Sequence, residues 1–279
     1  MSQKSYNNTP TVYLIPTPIG NMQDITLRAI ETLKMVDVIF SEDTRVTREL
    51  LTYLNIDKKL ISSHNFNESK NLDKLLMYLQ NNQNIGIVTD RGTPIISDPG
   101  YELVKYAIEN KYNVVGLPGP TALIPALITS GLNPAPFIFY GFLSTKGTRK
   151  ELENLKDYPY TIIFYEAPHR INKTLKLMLE VFGDRQISIS REISKKFEEI
   201  YRGNISQVLT DIRDAKGEMV VVVSGSSEKK DYSTLTIVEH VNLYIKEGHS
   251  KMDAMKLVAK DRSISKSEVY SVYNNEVKL

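Results

Sequence analysis

The feature that most constrains this chain is an alternation that repeats over residues 11–131. A short apolar run gives way to a segment of helical period, then another short run, with no hairpin turn between. Residues 11–16 (TVYLIP) read as a strand, 26–34 as a helix starting near Asp24, and 36–40 (VDVIF) as a second strand. A helix over 44–54 follows, capped by Asp43 or Thr44, whose side-chain oxygens can accept its first free N–H groups. Short strands at 60–62 and 85–89 (IGIVT) flank a helix over 67–79. A helix over 101–110, a strand at 113–116 and a helix over 121–130, ending at Gly131, complete the series. Strands joined only through helices return to the same starting edge, so a largely parallel α/β sheet is predicted.

Two prolines within LNPAPF (132–137) break this rhythm. Beyond them, strands are expected at 137–142, 160–165, 186–191, 197–203 and 218–224, with helices at 146–155, 170–182 and 205–213. The adjacent strands 186–191 and 197–203 suggest a hairpin, which makes the second sheet mixed. A polar linker, 225–233 (GSSEKKDYS), leads to helical segments at 236–246, 251–260 and 265–273. The turn at 261–263 fits either a helix-turn-helix or a helical packing appendage. The expected domains are 1–132, 133–226 and 234–279.

Composition narrows the chemistry. The absence of Cys excludes disulfides, thiolate nucleophiles, iron–sulfur clusters and Cys-based zinc sites. His64, His169, His240 and His249 are scattered without HExxH spacing, so no metal is expected. With 41% hydrophobic and 24% charged residues the chain can bury a core, which excludes a disordered or low-complexity protein. No apolar run approaches the ~20 residues of a membrane span, and the opening residues lack a signal-peptide core. A soluble cytoplasmic α/β protein with no membrane partner is the expectation. Lys and Arg number 35 against 33 acidic residues, so no global basic field marks a DNA-binding protein.

The informative residues follow the first-half strands. Pro16–Asn21 (PTPIGN), Asp90–Gly100 (DRGTPIISDPG) and Leu117–Ala122 (LPGPTA) are loops stiffened by Pro and opened by Gly. Open α/β sheets bind ligands outside the C-terminal ends of their strands, so three such loops at one edge predict a small-molecule site. No GxGxxG follows a strand and no GxxxxGK[ST] occurs, which leaves a Rossmann dinucleotide site and a Walker phosphate cradle unsupported. A pocket of backbone groups, small residues and prolines suits a zwitterionic, aromatic-bearing ligand; S-adenosylmethionine fits, as do other metabolites.

Six motifs carry a family resemblance: PTPIGN (16–21), SEDTR (41–45), DRGTPIISDPG (90–100), GPTAL (119–123), FYEAPHR (164–170) and REISKKFEE (191–199). In this order they resemble the tetrapyrrole methylase superfamily and, within it, the small-subunit rRNA methyltransferases. The resemblance covers residues 11–279. It implies a two-domain α/β fold, with a mostly parallel N-terminal sheet, a mixed C-terminal sheet and a small helical module. It also implies S-adenosylmethionine in the interdomain cleft and a homodimer. The activity implied is methylation of the ribose 2′-hydroxyl of a cytidine in the decoding region of 16S rRNA. Carried over by motif, the cofactor contacts are Pro18, Ile19, Thr93, Ile96, Thr121, Ala122, Tyr165, Glu166, Ile193 and Met219. Arg91 stands where the family usually has Ala, and is expected to point outward, toward a phosphate, because burying an unpaired guanidinium is costly.

Methyl transfer to an alcohol is an in-line displacement that rests on positioning, helped by a base that accepts the hydroxyl proton. Candidate bases are Asp43, Asp90, Asp98, Glu166, His169 and Glu192, with His169, Glu166 and Asp43 foremost. His169 and Asp43 also fit plainer roles, as a capping or RNA-contacting residue and as a helix cap. For RNA contact, residues 137–230 hold 16 basic and 13 acidic residues, against 12 and 13 in 1–136. The excess falls in three runs: Lys146, Arg149 and Lys150; Arg170, Lys173 and Lys176; Arg191, Lys195 and Lys196. The C-terminal module is balanced, at 7 and 7, and is assigned to rRNA docking or scaffold support. Methylation of a tetrapyrrole and a non-catalytic role in ribosome assembly are the alternatives.

Overall fold

The first-half strands are rich in Val and Ile and bury both faces, as a sheet covered on each side by helices requires. In the computed structural model, which describes residues 2–5, 7–64, 68–212, 216–227, 232 and 234–276, five strands form the first sheet. These are β1 (Thr11–Leu14), β2 (Val38–Ser41), β3 (Lys59–Ser62), β4 (Ile85–Val88) and β5 (Asn113–Gly116), in the order β3-β2-β4-β1-β5. Every pairing is parallel, as predicted.

Neighbouring residues on β1 serve opposite layers. Tyr13 joins Leu33 and Leu51, from α1 (Leu27–Met35) and α2 (Thr44–Tyr53). Val12 joins Leu75, Leu79 and Leu103, from α3 (Leu72–Gln80) and α4 (Tyr101–Glu109). Thr26 caps α1 by accepting the Ala29 N–H at 3.0 Å, so the helix starts after Asp24, which lies in a short 3-10 turn. The helix expected over 67–79 also starts late. Glu68–Asn71 is a 3-10 turn, tied to its surroundings by Glu68, which accepts the Leu103 N–H at 3.1 Å, and by Asn71, which donates to the Ser62 carbonyl at 2.8 Å. Asn67 lies outside the described residues.

The second sheet is mixed. It comprises β6 (Phe137–Phe142), β7 (Thr161–Glu166), β8 (Gln186–Arg191), β9 (Glu199–Asn204) and β10 (Met219–Val223), in the order β6-β7-β10-β8-β9. Only β6 and β7 run parallel, and β8 with β9 is the expected antiparallel pair. One face packs on α6 (Thr148–Leu155), α7 (Ile171–Phe182) and α8 (Ile205–Asp211), through Leu152, Leu175, Met178 and Val208. Arg213, the expected end of α8, lies outside the described residues.

The other face is covered differently. Ile163, Val220 and Val222 bury against Ala126 and Leu127 of α5 (Leu123–Thr129), the helix that follows β5 of the first sheet. This helix couples the two sheets and sets the walls of the cleft between them. Met1–Gly225 forms one compact unit and Ser226–Leu279 another. The second unit packs α9 (Ile237–Lys246), α10 (Lys251–Asp261) and α11 (Lys266–Glu276) around Val241, Met255, Val258 and Val269. A capping box formed by Thr236 and Glu239 opens α9. Of the expected linker, residues 228–231 and 233 lie outside the described residues. Among those described, no helix is long and apolar enough to cross a membrane.

Candidate functional site

The order β4-β1-β5 puts three Pro- and Gly-rich loops side by side at the C-terminal edge of the first sheet. They are tied to one another. Thr17 and Gly92 exchange backbone hydrogen bonds of 2.9 and 3.0 Å, and the Thr17 hydroxyl donates to the Thr89 carbonyl at 3.1 Å. The Thr93 hydroxyl donates to the Pro120 carbonyl at 3.0 Å, which joins the second loop to the third. A Cβ at Gly119 would lie 2.6 Å from Cβ of Pro16, so glycine is what lets the first and third loops touch.

These loops form one wall of a cleft of about 520 Å³, and the second sheet supplies the other. The size is that of a small-molecule site. Nine of the ten residues expected to hold a cofactor line it: Ile19, Thr93, Ile96, Thr121, Ala122, Tyr165, Glu166, Ile193 and Met219. Pro18 does not; it lines a smaller neighbouring depression with Thr17 and Gly20, next to the bridge between Thr17 and Gly92. Arg91, Glu42, Val46, Ser97, Phe142 and Glu218 also line the cleft. Ser97 belongs to the second expected loop and Glu42 to the SEDTR motif, whereas Val46, Phe142 and Glu218 were not singled out. Glu42 carried a signal, since it follows the C-terminal end of β2 at the same sheet edge.

One end of the cleft is acidic. Glu42 accepts the Thr89 hydroxyl at 2.7 Å, and Asp90 accepts the Asp43 N–H at 3.0 Å. Burial raises Asp90, helped by the charges of Glu42 and Asp43. Asp98 is pushed up to about 6, first by burial and then by the Glu42 charge, with the Thr89 hydroxyl pulling the other way. Opposite stands Tyr165, edge-on to Phe139 and Phe142 at 5.0 and 5.5 Å, its phenol raised chiefly by burial.

The three foremost base candidates occupy other roles. Glu166 is buried at the end of β7, where it accepts the Ala167 N–H at 2.8 Å and the Thr174 hydroxyl at 2.5 Å and faces Arg170 at 3.5 Å. It anchors the start of α7 beneath the cleft wall. His169 is exposed and lies outside the cleft lining. Asp43 caps α2 and is held low, at about 2, by hydrogen bonds from the Arg45 guanidinium and backbone N–H.

The basic candidates divide in two. Arg91 neither points alone into solvent nor crowds the pocket. It pairs with Glu218 at 2.7 Å, across the cleft from one sheet to the other. Lys195 pairs with the same carboxylate at 2.8 Å and with Glu192 at 2.9 Å. Arg149 pairs with Glu180, Arg170 with Glu166, and Arg191 with Glu199. Among the described residues, the side chains of Lys146 and Lys150 make no ion pair, and Lys196 lies over the Phe197 ring at 5.7 Å. No group of three or more potential metal ligands occurs among the described residues.

A parallel sheet whose loops line a small-molecule-sized cleft against a mixed second sheet defines a two-sheet α/β protein of the kind that binds ligands between its sheets. Residues 11–209 match the family of Tetrapyrrole (Corrin/Porphyrin) Methylases, and the chain belongs to that family. It is 45% identical to the ribosomal RNA small subunit methyltransferase I of Bacillus subtilis (strain 168), over 98% of this chain and 97% of that protein. It is 42% identical to the protein of the same name from Halalkalibacterium halodurans, over 99% of each. Among solved structures it resembles the uroporphyrin-III-C-methyltransferase of Thermus thermophilus, with a TM-score of 0.57 and 16% identity, over 77% of this chain and 94% of that one. At that identity the likeness speaks for the fold.

Proposed function

We propose that this chain is an S-adenosylmethionine-dependent methyltransferase acting on small-subunit ribosomal RNA. In this reading it methylates the ribose 2′-hydroxyl of a cytidine in the decoding region of 16S rRNA. The observation that carries the reading is the convergence of nine motif residues on one cleft, in a chain that its rRNA methyltransferase relatives match along nearly its whole length. The uroporphyrin methyltransferase, matched over a smaller share of the chain at 16% identity, favours a tetrapyrrole substrate far less.

The residues present fit the proposed cofactor. Ile19, Ile96, Ile193 and Met219 offer apolar walls, while Gly92 and Gly119 let backbone come close. The carboxylates Glu42 and Asp90 give the cleft a negative end, which suits a ligand with ammonium and sulfonium charges. When bound, S-adenosylmethionine supplies an activated methyl group. The chain's own residues exclude water, fix the direction of approach and accept a proton, and orientation of this kind is worth several kcal/mol of barrier. Lys146, Lys150 and Lys196, exposed and without ion pairs among the described residues, are assigned to the RNA backbone with Arg91, Arg149, Arg170, Arg191 and Lys195. Cytoplasmic location and a homodimeric state belong to the same reading.

The test is incubation of the full chain with labelled S-adenosylmethionine and small ribosomal subunits from a strain lacking the modification. A porphyrinoid is offered in parallel. The expected result is label in 16S rRNA that nuclease digestion and mass spectrometry map to a 2′-O-methylcytidine. Labelling of the porphyrinoid establishes the tetrapyrrole alternative. Binding of rRNA with no change in its mass establishes a non-catalytic assembly factor.

A further inference from the structure

We propose that Asp98 is the proton acceptor of the reaction, taking the hydrogen from the hydroxyl that is methylated. The proposal rests on the methyltransferase reading above and assigns a role within the same cleft. It follows from what each acidic group of the site is already doing. Glu166 is held by the Ala167 N–H, the Thr174 hydroxyl and Arg170. Glu218 is shared between Arg91 and Lys195. Glu42 accepts the Thr89 hydroxyl, and Asp90 accepts the Asp43 N–H. Asp98 lines the cleft and, among the described residues, has no cation and no backbone N–H on its carboxylate; the Thr89 hydroxyl is its partner. That hydroxyl has one hydrogen to divide between Asp98 and Glu42, which it meets at 2.7 Å, so an Asp98 oxygen stays open to a proton.

The charged and titratable groups facing Asp98 are Glu42 from the loop after β2, Asp90 from the loop after β4, and Tyr165 from β7. Burial first, then the charges of Glu42 and Asp90, make Asp98 more basic than an ordinary aspartate. In the step itself, the sugar oxygen uses a lone pair to form the bond to the methyl carbon. The carbon–sulfur bond breaks and leaves its electron pair on sulfur, giving a neutral thioether. The hydroxyl proton, made acidic as the oxygen–carbon bond forms, passes to an Asp98 oxygen and later to solvent.

The experiment compares wild type, Asp98→Asn and Asp98→Glu as full chains on small ribosomal subunits at saturating S-adenosylmethionine, across pH 5 to 9. Donor affinity is measured separately by calorimetry. Wild-type kcat is expected to fall as pH drops through about 6. Asp98→Asn is expected to lose on the order of 100-fold in kcat and its acid limb, with donor affinity within about threefold of wild type. Asp98→Glu is expected to recover part of the rate. A retained kcat in Asp98→Asn, a persisting acid limb, or a loss confined to donor affinity and cured by more donor overturns the assignment. A wild-type chain that methylates no rRNA overturns the methyltransferase reading beneath it.

Discussion

The guanidinium of Arg91, in the loop after β4, lies 2.7 Å from Glu218 at the start of β10, so one ion pair joins the two sheets across the mouth of the cleft. Lys195 holds the other oxygen of Glu218 at 2.8 Å. Both Arg91 and Glu218 are more than half exposed, so the pair adds little to stability, about 0.5 kcal/mol. Its effect falls on charge available to a ligand. Glu218→Ala is expected to release Arg91, while Lys195 keeps Glu192, and to tighten rRNA binding a few-fold at low salt. Arg91→Ala is expected to weaken it and lower the salt slope by roughly 0.7–0.9, the share of one phosphate contact. Filter binding over a range of salt concentrations measures both. Equal affinity in the two variants would remove Arg91 from the RNA surface.

Asp98 and Asp43 lie within one sheet edge but titrate in opposite directions, which predicts opposite stability profiles. The Asp98 pKa is raised from 3.8 to about 6, so the native state binds more protons than the unfolded chain between those values, and stability falls as pH rises through that window. Asp98→Asn removes this loss. It is expected to gain about 1–2 kcal/mol at pH 7, after allowance for partial exposure, and nothing at pH 4. Asp43, held at about 2, gives the reverse sign: its contribution is present above pH 4 and disappears as pH falls through 2. Asp43→Asn is therefore expected to lower stability at neutral pH while leaving the acid limb of the rate unchanged. Urea denaturation at pH 4 and pH 7 distinguishes the two.

Glu166 and His169 are neighbours in FYEAPHR, and the structure separates their consequences. Glu166→Ala strips a buried carboxylate from Thr174, the Ala167 N–H and Arg170, and is expected to cost about 3 kcal/mol of stability. His169→Ala touches an exposed ring outside the cleft, and kcat is expected to stay within about twofold of wild type. Thermal melts and initial rates check both; a large rate loss in His169→Ala would return that residue to the chemistry.

Much of this site is legible in the sequence because its walls are local. The alternation of strands and helices fixes which loops share an edge, and Pro16, Gly92 and Gly119 mark the places where backbone must bend or come close. What resists reading is anything made by two distant segments. Arg91 and Glu218 are 127 positions apart, so a charge count finds a free guanidinium where the fold makes a pair. Arg149 with Glu180 repeats the lesson, since a basic run shows its cations but not the acids folded against them. Asp98 was one candidate base among six until the partners of the other carboxylates were known. Its basicity comes from burial and from Glu42, both products of tertiary structure.

Gly119 and Gly116, three residues apart at the end of β5, provide a last test of how tightly the loops are packed. An added Cβ at Gly119 would meet Pro16 at 2.6 and 2.7 Å, below any ordinary contact, and Pro16 lies in a loop pinned by the bridge from Thr17 to Gly92. The first or third loop must therefore shift. Gly119→Ala is expected to cost about 1–3 kcal/mol and to weaken S-adenosylmethionine binding at least tenfold, because Ile19 and Thr121 line the cleft from those two loops. At Gly116 a Cβ meets nothing within 4 Å. Gly116→Ala is expected to leave cofactor affinity unchanged and to stabilise the fold by up to about 1 kcal/mol, through the unfolded chain's lost freedom. Calorimetric titration and urea melts of the two variants side by side check the contrast. Equal behaviour would mean that the contact between the first and third loops does not shape the cleft.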